Sequence, residues 1–394
     1  MQDNFVPFHR PSIGPEEWQA VRQVLESRWL TTGPVTQQFE REFASFVDCK
    51  YAVAVNSCTA ALLLALDALG ITSGDEVLVP SYTFTATAEV VAWLGARPVL
   101  CDSLQGGFNI DPADATCRIT PKTRAIIAVH IAGEPCDLMA LRRIAEDHAI
   151  HLIEDAAHAL PASYGGRRIG SISEFTGFSF YATKTLTTGE GGMLTTDSPE
   201  HAKRASIMRL HGISGDAWKR YTSEGSWYYE VVNAGFKANM PDLLAALGLA
   251  QLKKAEAFYQ RRREIAETYL HRFAGTEELE MPPTGSVNAT HAWHLFILRL
   301  RQEMLAVGRS DLIRELKEAG IGTSVHFIPL HLHPYYRERY GYSSGDFPNA
   351  EDAYARCISL PIYPDMKDCE VERVLAAVEH LVRKNRKRMS VSVI

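Results

Sequence analysis

Short apolar runs alternate with amphipathic stretches from residue 51 to about residue 200. A strand buried on both faces reads as an unbroken apolar run, whereas an amphipathic helix repeats its apolar residues every three or four positions. Their alternation favours a mostly parallel sheet with helices on both faces, which is a doubly wound α/β fold. The strand-like runs are "YAVAVN", "EVLVP", "RPVLCD", "RAIIAVH" and "IHLIED", and the helical patterns are "TAALLLALDALG", "TATAEVVAWLGA" and "DLMALRRIAEDHA".

The chain on either side of this region has a different pattern. Two helical stretches precede it, "GPEEWQAVRQVLES" and "TGPVTQQFEREFASFV". After it, a helical pattern that starts at Pro241 exceeds the ordinary helix length and is predicted to bridge two domains. Beyond that lie the predicted strands "AWHLFILRL" and "TSVHFI" and the predicted helix "SDLIRELKEAG", with Ser310 as its N-cap and Gly320 just past its end. We expect a large domain over residues 1–254 and a smaller α+β domain over residues 255–394.

Composition and charge exclude several classes of protein. The 394 residues are 46% hydrophobic and carry a net charge of −6, which is typical of a globular protein without a nucleic-acid footprint. The basic residues from Arg383 to Arg388 are interpreted as the cationic end of the last helix, the alternative being an arm that binds an anionic surface. The most apolar stretch, "TAALLLALDALG", is too short to span a bilayer and contains Asp67, so we expect no membrane protein.

The cysteines indicate the compartment. The chain has seven of them, an odd number, and none stands in a CxxC pair or at a metal-like spacing. The N-terminal segment "MQDNFVPFHRP" has no apolar signal core. Both features predict a reducing, cytoplasmic location.

A candidate anion site follows the first predicted strand. In an open parallel sheet, ligands bind beyond the carboxyl ends of the strands. The segment "VNSCTAALLLAL" is a strand end, a tight polar turn and a helix start, where free N–H groups attract phosphate. Donors would come from the region of Ser57, Cys58 and Thr59. The alternative is that Ser57 or Thr59 only caps the helix.

A pair of carboxylates ends another predicted strand, in "IHLIEDAAHAL". Glu154 or Asp155 could bind a metal, a ribose hydroxyl or a protonated heterocycle, or could cap the next helix. The ribose interpretation is disfavoured because no glycine-rich dinucleotide motif follows an earlier strand. The metal interpretation lacks a partner carboxylate at a suitable spacing.

A lysine, Lys184, lies between an aromatic strand-like run and a glycine-rich turn in "FSFYATKTLTTGEGG". Taken alone, it is best explained as a structural, salt-bridged lysine. In an apolar setting, however, its amine pKa would fall, and the neutral amine could form a Schiff base with an aldehyde. A phosphate-binding helix start, an aspartate for a pyridinium nitrogen and such a lysine are together the parts of a pyridoxal phosphate (PLP) site.

The motifs, taken in order, resemble the DegT-like (DegT/DnrJ/StrS) family of sugar-nucleotide aminotransferases, which are fold-type I PLP enzymes. The resemblance covers nearly the whole chain. It implies a large PLP-binding domain with a mostly parallel sheet, followed by the smaller C-terminal domain. The motifs that carry it are "GPEEWQAV", "RWLTTGPVTQQFEREFA", "GDEVLVPSYTFTATA", "IEDAAHA", "GFSFYATKTLTTGEGG", "GFKANMPDLLAALGLAQL" and "SLPIYPDM".

The resemblance implies a role for individual residues around PLP, which alternates with its aminated form, PMP. Lys184 would bind the cofactor covalently, and Asp155 would pair with the pyridine nitrogen. His158 would lie near the phenolic oxygen, and Phe84 would stack on the ring, unless Phe84 is a plain core aromatic. The residues expected to hold the phosphate are Cys58, Thr59 and Ser179, unless Ser179 is only a small polar residue in a buried strand.

Two further positions are implied less directly. Asn239 resembles an asparagine that reaches the phosphate of a neighbouring subunit in a homodimer, although some relatives have it where this chain has Lys237, and Asn239 is also a good helix N-cap. His326 resembles a residue that borders the sugar-nucleotide site. A metal bound by His326, His331 and His333 is disfavoured, because strand alternation would direct the side chains apart and no further ligand completes the set.

The function implied is transamination from glutamate, which leaves 2-oxoglutarate, to a keto group of a nucleotide-linked sugar. The subgroup resembled acts on UDP-linked 4-keto sugars, including the 4-keto-arabinose enzymes of lipid A modification. One alternative is a PLP-dependent sugar dehydratase, but those relatives have histidine at the position of Lys184. The other is a non-catalytic regulatory or sensor protein on the same scaffold.

Overall fold

The computed structural model describes residues 5–214, 228–284 and 288–387. Its helices are α1 Pro15–Ser27, α2 Pro34–Val47, α3 Cys58–Ala68, α4 Ala86–Trp93, α5 Pro112–Cys117, α6 Leu138–His148, α7 Pro199–Met208, α8 Asp242–Leu252, α9 Ala255–Phe273, α10 Arg309–Glu318, α11 Pro334–Tyr340, α12 Pro348–Arg356 and α13 Asp368–Lys384. Its strands are β1 Tyr51–Val55, β2 Glu76–Pro80, β3 Arg97–Cys101, β4 Thr123–Val129, β5 His151–Asp155, β6 Ser163–Tyr164, β7 Arg167–Arg168, β8 Phe175–Ser179, β9 Gly192–Thr196, β10 Leu279–Glu280, β11 Ala289–Thr290, β12 Phe296–Leu300 and β13 Cys357–Leu360.

A seven-stranded sheet organises the larger part of the chain, in the order β1-β9-β8-β5-β4-β2-β3. The pairs β2–β3, β2–β4, β4–β5 and β5–β8 are parallel, and β9 is antiparallel to both of its neighbours. Every strand predicted from an apolar run between residues 51 and 155 is present. The predicted α/β fold with a mostly parallel sheet is therefore confirmed.

Helices cover both faces of this sheet, because its strands are apolar on both faces. One hydrophobic cluster contains the apolar side chains of α3 together with Val53, Val77 and Ile127. The other contains Phe39 and Phe43 of α2. The carboxyl ends of β1, β5 and β8 lie at one edge of the sheet, where the antiparallel β9 begins.

A third cluster surrounds a small antiparallel sheet, β10-β12-β13, and includes apolar residues of α9, α10 and α13. Val6 belongs to this cluster, so the N-terminal segment crosses to it. Conversely, Leu330, Tyr336 and Phe347 pack in the cluster around α3. The chain thus passes several times between the large sheet with its helices and the small antiparallel sheet with its own. The domain boundary after residue 254 stays a prediction.

The long helix predicted from Pro241 is wrong as a single element. It divides into α8, which ends at Leu252, and α9, which begins at Ala255. At the break, the ammonium of Lys254 lies 2.9 Å from a carboxylate oxygen of Glu16 and 2.8 Å from one of Glu17. These partners on α1 are distant in sequence, so periodicity alone did not reveal the break.

Two local predictions in the C-terminal part are also wrong. Helix α10 begins at Arg309 with Gly308 as its N-cap, so Ser310 lies inside the first turn. The segment "TSVHFI" forms no strand; it makes only an isolated bridge between Ser324 and Ser359. Gly320, with φ +81°, ends α10 as predicted.

The first two C-terminal basic residues lie in the last helix, and Arg386 and Lys387 follow its end. Arg383 and Lys384 form its last turn, as the dipole argument predicts. Lys384 lies 3.1 Å from Glu315, and Arg386 pairs with Glu278. Arg388, the last of the predicted basic residues, lies outside the described residues. Within the described ranges, no helix is long and apolar enough to cross a bilayer.

Candidate active site

A cavity of about 500 Å³ opens at the carboxyl edge of the large sheet. It is bounded by the ends of several strands, by the loop after β8 and by segments 8–9, 294–295 and 326–327. Residues far apart in the sequence therefore meet in one place. The predicted residues that line it are Cys58, Thr59, Phe84, Asp155, His158, Ser179, Lys184 and His326.

The turn between β1 and α3 forms one wall. The hydroxyl of Ser57 accepts a hydrogen bond from the Ala60 amide at 3.1 Å, so Ser57 is the helix cap, as the alternative interpretation held. Capping does not exclude anion binding, because it occupies only one of the free N–H groups of the first turn. Cys58 and Thr59 begin this turn and line the cavity.

Gly192 lets the backbone of β9 approach this turn closely. A Cβ atom at this position would lie 2.4 Å from the carbonyl carbon of Ser57 and 2.6 Å from the nitrogen of Cys58. Such a contact is sterically impossible, so only glycine fits without displacement. This close packing holds the turn at the N-terminus of α3 in place, and the free N–H groups of that turn suit a phosphate group.

Asp155 ends β5 with its carboxylate buried beside the cavity. One oxygen accepts a hydrogen bond from the hydroxyl of Thr87 at 2.9 Å. The other accepts from the Ala157 amide at 3.1 Å and contacts the thiol of Cys58 at 3.8 Å. No described helix begins directly after Asp155, so it is not a helix cap. Three donors from different elements thus fix its orientation.

Glu154 lies on the opposite side of β5, as strand alternation requires. Its buried carboxylate contacts Nε2 of His130 at 2.9 Å and accepts hydrogen bonds from the Ser173 amide and the Thr176 hydroxyl. It does not line the cavity. The structure therefore separates the two adjacent carboxylates, and only Asp155 can contact a ligand there.

Lys184 lies in the turn that follows β8, with its amide donating to the carbonyl of Tyr181 at 2.9 Å. Burial lowers the pKa of Lys184 to about 8, although Cys58 and Asp155 partly oppose this. Within the residues that the structure describes, it forms no ion pair, so the salt-bridged structural interpretation is wrong. A lysine with this pKa is largely protonated at pH 7 but has a substantial neutral fraction, which a nucleophile requires.

Uncharged imidazoles surround Lys184. Burial lowers the pKa of His158 well below its ordinary value, and the nearby Lys184 and His326 lower it further. The pKa of His326 falls to about 4, first through burial and then through Lys184. Nδ1 of His158 accepts from the Ala132 amide at 3.3 Å, and Nδ1 of His326 lies 2.9 Å from the hydroxyl of Ser359.

Phe84 and Ser179 occupy the remaining predicted positions. Phe84 is 59% exposed, so it is not a plain core aromatic; its ring centroid lies 6.1 Å from that of Phe327. This exposure leaves a face of the ring available for stacking. Ser179 ends β8, and its hydroxyl lies 3.4 Å from the amide of Tyr181.

Asn239 is the predicted residue that does not line the cavity. Its backbone pairs with Val55, its Nδ2 donates to the hydroxyl of Thr32 at 2.7 Å, and its Oδ1 accepts from Lys237 Nζ at 2.7 Å. Pro241 is the N-cap of α8, so the helix-cap alternative is wrong. The inter-subunit role stays a prediction, as does the choice between Asn239 and Lys237.

The three C-terminal histidines are dispersed. His326 lines the cavity, whereas His331 is buried between the Ser81 hydroxyl at 2.7 Å and the Glu351 carboxylate at 2.9 Å. His333 is the N-cap position of α11. In the described part of the chain, no three histidine, cysteine or carboxylate side chains are grouped as metal ligands.

Sequence reasoning missed several residues of the site. Thr87 belongs to the motif "GDEVLVPSYTFTATA", but no residue near it in the sequence indicates that its hydroxyl binds Asp155. His294 lines the cavity with its ring centroid 4.4 Å from that of His158, and the Phe327 ring is stacked on His158 at 5.8 Å. His9 also lines it, with Nε2 3.1 Å from the carbonyl of Ala182. These residues come from distant segments and carry no local motif.

The residues present fit PLP. The first turn of α3, which lines the cavity, suits its phosphate, and the buried and oriented carboxylate of Asp155 suits a protonated pyridine nitrogen. Lys184 lines the same cavity and has a lowered pKa. No second cation accompanies Lys184 among the cavity-lining residues, whose histidines near it are neutral. A phosphate-bearing aldehyde matches this combination of groups.

Comparison with known proteins gives the same assignment. The chain is 50% identical over 383 residues to the spore coat polysaccharide biosynthesis protein SpsC of Bacillus subtilis (strain 168), covering 97% of this chain and 98% of that protein. Spr1654 of Streptococcus pneumoniae, provisionally named a sugar aminotransferase, superposes in its PMP form with a TM-score of 0.91 and 34% identity over 96% of this chain and 99% of that one. Its PLP form gives a TM-score of 0.90.

A second solved structure extends the likeness. Helicobacter pylori PseC, an aminotransferase involved in the biosynthesis of pseudoaminic acid, superposes with a TM-score of 0.89 and 27% identity over 97% of this chain and 100% of that one. Residues 11–379 match the DegT/DnrJ/EryC1/StrS aminotransferase family. The chain therefore belongs to the DegT/DnrJ/EryC1/StrS aminotransferase family and is a PLP-dependent aminotransferase of fold type I.

Proposed function

We propose that this enzyme transfers the amino group of glutamate to the keto carbon of a nucleotide-linked hexose or pentose, which yields an amino sugar nucleotide and 2-oxoglutarate. The observation that carries the proposal is the meeting of Lys184, Asp155 and the N-terminus of α3 in one cavity. These are the parts that amine transfer through PLP requires.

The relatives support a sugar as the acceptor. SpsC is named for spore coat polysaccharide biosynthesis, and PseC for the biosynthesis of pseudoaminic acid. The product is accordingly proposed to enter the synthesis of a polysaccharide, a lipopolysaccharide or a glycosylated metabolite. The nucleotide linkage and the glutamate donor rest on the sequence resemblance.

The chain's own residues divide the work of the reaction. When bound, PLP supplies a ring that withdraws electrons from the carbon that loses its proton. We assign to Lys184 Nζ the removal of that proton in its neutral form and its return to the neighbouring carbon. The carboxylate of Asp155, fixed by Thr87 and Ala157, holds a proton on the pyridine nitrogen.

Other residues are assigned to binding. The first turn of α3, with Cys58 and Thr59, and the hydroxyl of Ser179 would hold the phosphate. Phe84 would lie against the ring, and the neutral His158 near its phenolic oxygen. His326 borders the cavity from the C-terminal part of the chain and is proposed to contact the sugar substrate.

We further propose a homodimer with shared active sites. Asn239 does not line the cavity of its own subunit, and its Oδ1 accepts a hydrogen bond from Lys237 Nζ. Lys237 is exposed and Asn239 is half-buried, so a neighbouring subunit could contact either one. Substituting alanine at either position and measuring PLP affinity and oligomeric state would identify which one reaches the partner's phosphate.

We propose a cytoplasmic location because the cysteines, as the sequence predicts, form no disulfides. All seven cysteines are unpaired, and four of them are buried. Free thiols persist in a reducing compartment.

Two other functions are less well supported. A sugar dehydratase of this scaffold would have histidine in place of Lys184. A non-catalytic regulatory role does not explain why one cavity contains an oriented aspartate and a lysine whose pKa is lowered to about 8.

The test has two stages. The PLP-loaded protein is first mixed with glutamate in a single turnover, and 2-oxoglutarate and PMP are quantified by mass spectrometry. Nucleotide-linked keto sugars are then screened with ¹⁵N-glutamate, and the product is identified by its mass. We expect label in an amino sugar nucleotide; absence of 2-oxoglutarate in the first stage would refute glutamate as the donor.

Lys184→Ala is the decisive variant. It should abolish turnover and covalent retention of PLP after borohydride treatment while the fold stays intact by circular dichroism. Lys317→Ala, at an exposed position on α10, is the matched control and should behave as the wild type. Near-normal turnover in Lys184→Ala would contradict the assignment.

A further inference from the structure

Arg262 on α9 is fully buried, although it is charged. Burial lowers the pKa of Arg262 to about 9, so the guanidinium remains protonated at neutral pH. Within the described residues, no carboxylate forms an ion pair with it. A buried charge without a counter-ion is costly, so the presence of one here requires an explanation.

The contacts of Arg262 are all to backbone carbonyls. Its Nη1 donates to the carbonyl oxygens of Ile362 at 2.8 Å, His294 at 3.1 Å and Trp293 at 3.3 Å. Its Nε and Nη2 have no hydrogen-bond partner within the described residues. Arg204, by contrast, uses Nε and Nη2 to bind the carboxylate of Asp67 at 2.8 and 3.0 Å.

These carbonyls belong to the wall of the active site. His294 and Ile362 both line the cavity, although they lie 68 positions apart in the sequence. The ring of His294 lies 4.4 Å from that of His158, centroid to centroid. By holding both segments, Arg262 fixes the position of His294 and, through it, the packing of His158.

We propose that Arg262 is a positioning residue of the active site: through its hydrogen bonds it holds the cavity wall formed by His294 and Ile362. The kinetic consequence rests on the proposed aminotransferase function. The charge of Arg262 also adds to the effect of burial on two imidazoles that line the cavity, those of His9, on the N-terminal segment, and His294.

The electrostatic part follows from the groups around each imidazole. His9 faces Arg262 and Lys184, with the Tyr363 ring edge-on at 6.2 Å; burial and then Arg262 lower the pKa of His9 to about 4. The pKa of His294 is lowered well below its usual value by burial, then by His158, Lys184, Arg262 and His9. Removing the charge of Arg262 should raise both pKa values.

Three variants of the PLP-loaded enzyme separate the two parts of the proposal. Arg262→Met removes both the charge and the hydrogen bonds. Arg262→Lys keeps the charge but cannot bind three carbonyls from one planar group. Arg263→Met is the matched control, because Arg263 is a neighbouring arginine on the solvent side of α9. Two quantities are measured: the single-turnover rate with glutamate as a function of pH, and the titration of histidine-labelled protein by NMR.

We expect Arg262→Met to be at least tenfold slower at pH 7.5, since small displacements of catalytic groups cost about this much or more. Its acidic rate limb and the titrations of His9 and His294 should move to higher pH. Arg262→Lys should keep the wild-type titrations with a rate at least threefold below that of the wild type. Arg263→Met should match the wild type in both measurements.

Several results would overturn the proposal. The proposal is overturned if the rate of Arg262→Met is within twofold of that of Arg263→Met at every pH. It is also overturned if Arg262→Met is slower but the titrations of His9 and His294 are unchanged, because that result marks a merely structural role. If Arg262→Met does not fold, a wild-type rate in Arg262→Lys overturns it instead. Failure of the wild type to convert glutamate would refute the proposed donor, while the histidine titrations still test Arg262 independently.

Discussion

At the level of residues, a chain of hydrogen bonds orients the carboxylate of Asp155. Thr87 donates to it, and the hydroxyl of Thr83 lies 3.0 Å from that of Thr87. Because Thr87 uses its hydrogen for Asp155, it accepts from Thr83, and the three residues form a directed chain. A charge-assisted hydrogen bond of this kind is stronger than one between neutral groups.

Thr87→Val should therefore slow amine transfer while leaving the shape of the site unchanged. The lost hydrogen bond to a charged group corresponds to about 1.5–3 kcal/mol, or roughly ten- to a hundredfold in rate. The measurement is the single-turnover rate with glutamate. Thr87→Ser keeps the hydroxyl and is the control; a valine variant as fast as the serine variant would show that the hydrogen bond does not contribute.

The lowered pKa of Lys184 predicts how PLP binding depends on pH. Only the neutral amine reacts with the aldehyde, and its fraction rises as the pH rises through about 8. The rate at which the cofactor-free protein binds PLP covalently should therefore increase up to about pH 8 and then level off. Free lysine, with an ordinary pKa of about 10.4, is the control and should continue to gain rate. A protein rate that rises unchanged past pH 9 would contradict a pKa near 8.

At the level of elements, the contact between β9 and α3 shapes the proposed phosphate site. Strand β9 is antiparallel to β1, with Gly192 opposite Val55, the last residue of β1. Its glycine therefore lies against the turn where β1 passes into α3. The contact involves backbone atoms on both sides, which cannot move as a flexible side chain can.

Gly192→Ala should weaken PLP binding at least tenfold, because its methyl group would push β9 away from the Ser57–Cys58 turn. Overpacking of this kind also costs about 1–3 kcal/mol of folding stability. PLP titration by fluorescence and urea unfolding measure the two effects. Gly275→Ala is the control, because a Cβ atom there meets nothing within 4 Å. Wild-type PLP affinity in Gly192→Ala would show that this approach does not shape the site.

At the level of the whole molecule, buried neutral histidines make stability depend on pH. Burial lowers the pKa of His291 to about 3 and holds those of the cavity histidines below their ordinary value. Below about pH 6.5 the unfolded chain binds protons at these positions and the folded chain does not. Acid therefore favours unfolding well before the carboxylates titrate.

The free energy of unfolding should fall between pH 7 and pH 5, by up to about 1.4 kcal/mol per pH unit for each such histidine. His291→Asn should reduce this slope, since asparagine keeps an acceptor for the Trp293 amide, which His291 Nδ1 binds at 2.8 Å, but cannot be protonated. His271→Asn, at an exposed position of α9, is the control and should leave the slope unchanged. Urea unfolding at several pH values measures this, and a constant or rising stability toward pH 5 would contradict the prediction.

Predictions from the sequence succeeded where the signal is local. Strands such as His151–Asp155 were visible because burial on both faces demands an unbroken apolar run. The cap at Ser57 and the termination at Gly320 follow from chemistry within three or four residues. The single long helix from Pro241 failed because the pattern of apolar residues continues through the break, where Lys254 contacts the carboxylates of α1.

The sequence by itself determined the α/β fold, and it predicted the sheet edge at which the site would form and, through the family resemblance, its lysine and aspartate. The tertiary structure decided the chemical state of these groups. It separated Glu154 from Asp155 and oriented Asp155 through Thr87. It also lowered the pKa of Lys184 and brought Arg262 into hydrogen-bond contact with the carbonyl of His294. The physical reason is that patterning depends on neighbours along the chain, whereas desolvation and hydrogen-bond partners depend on residues brought together only by folding.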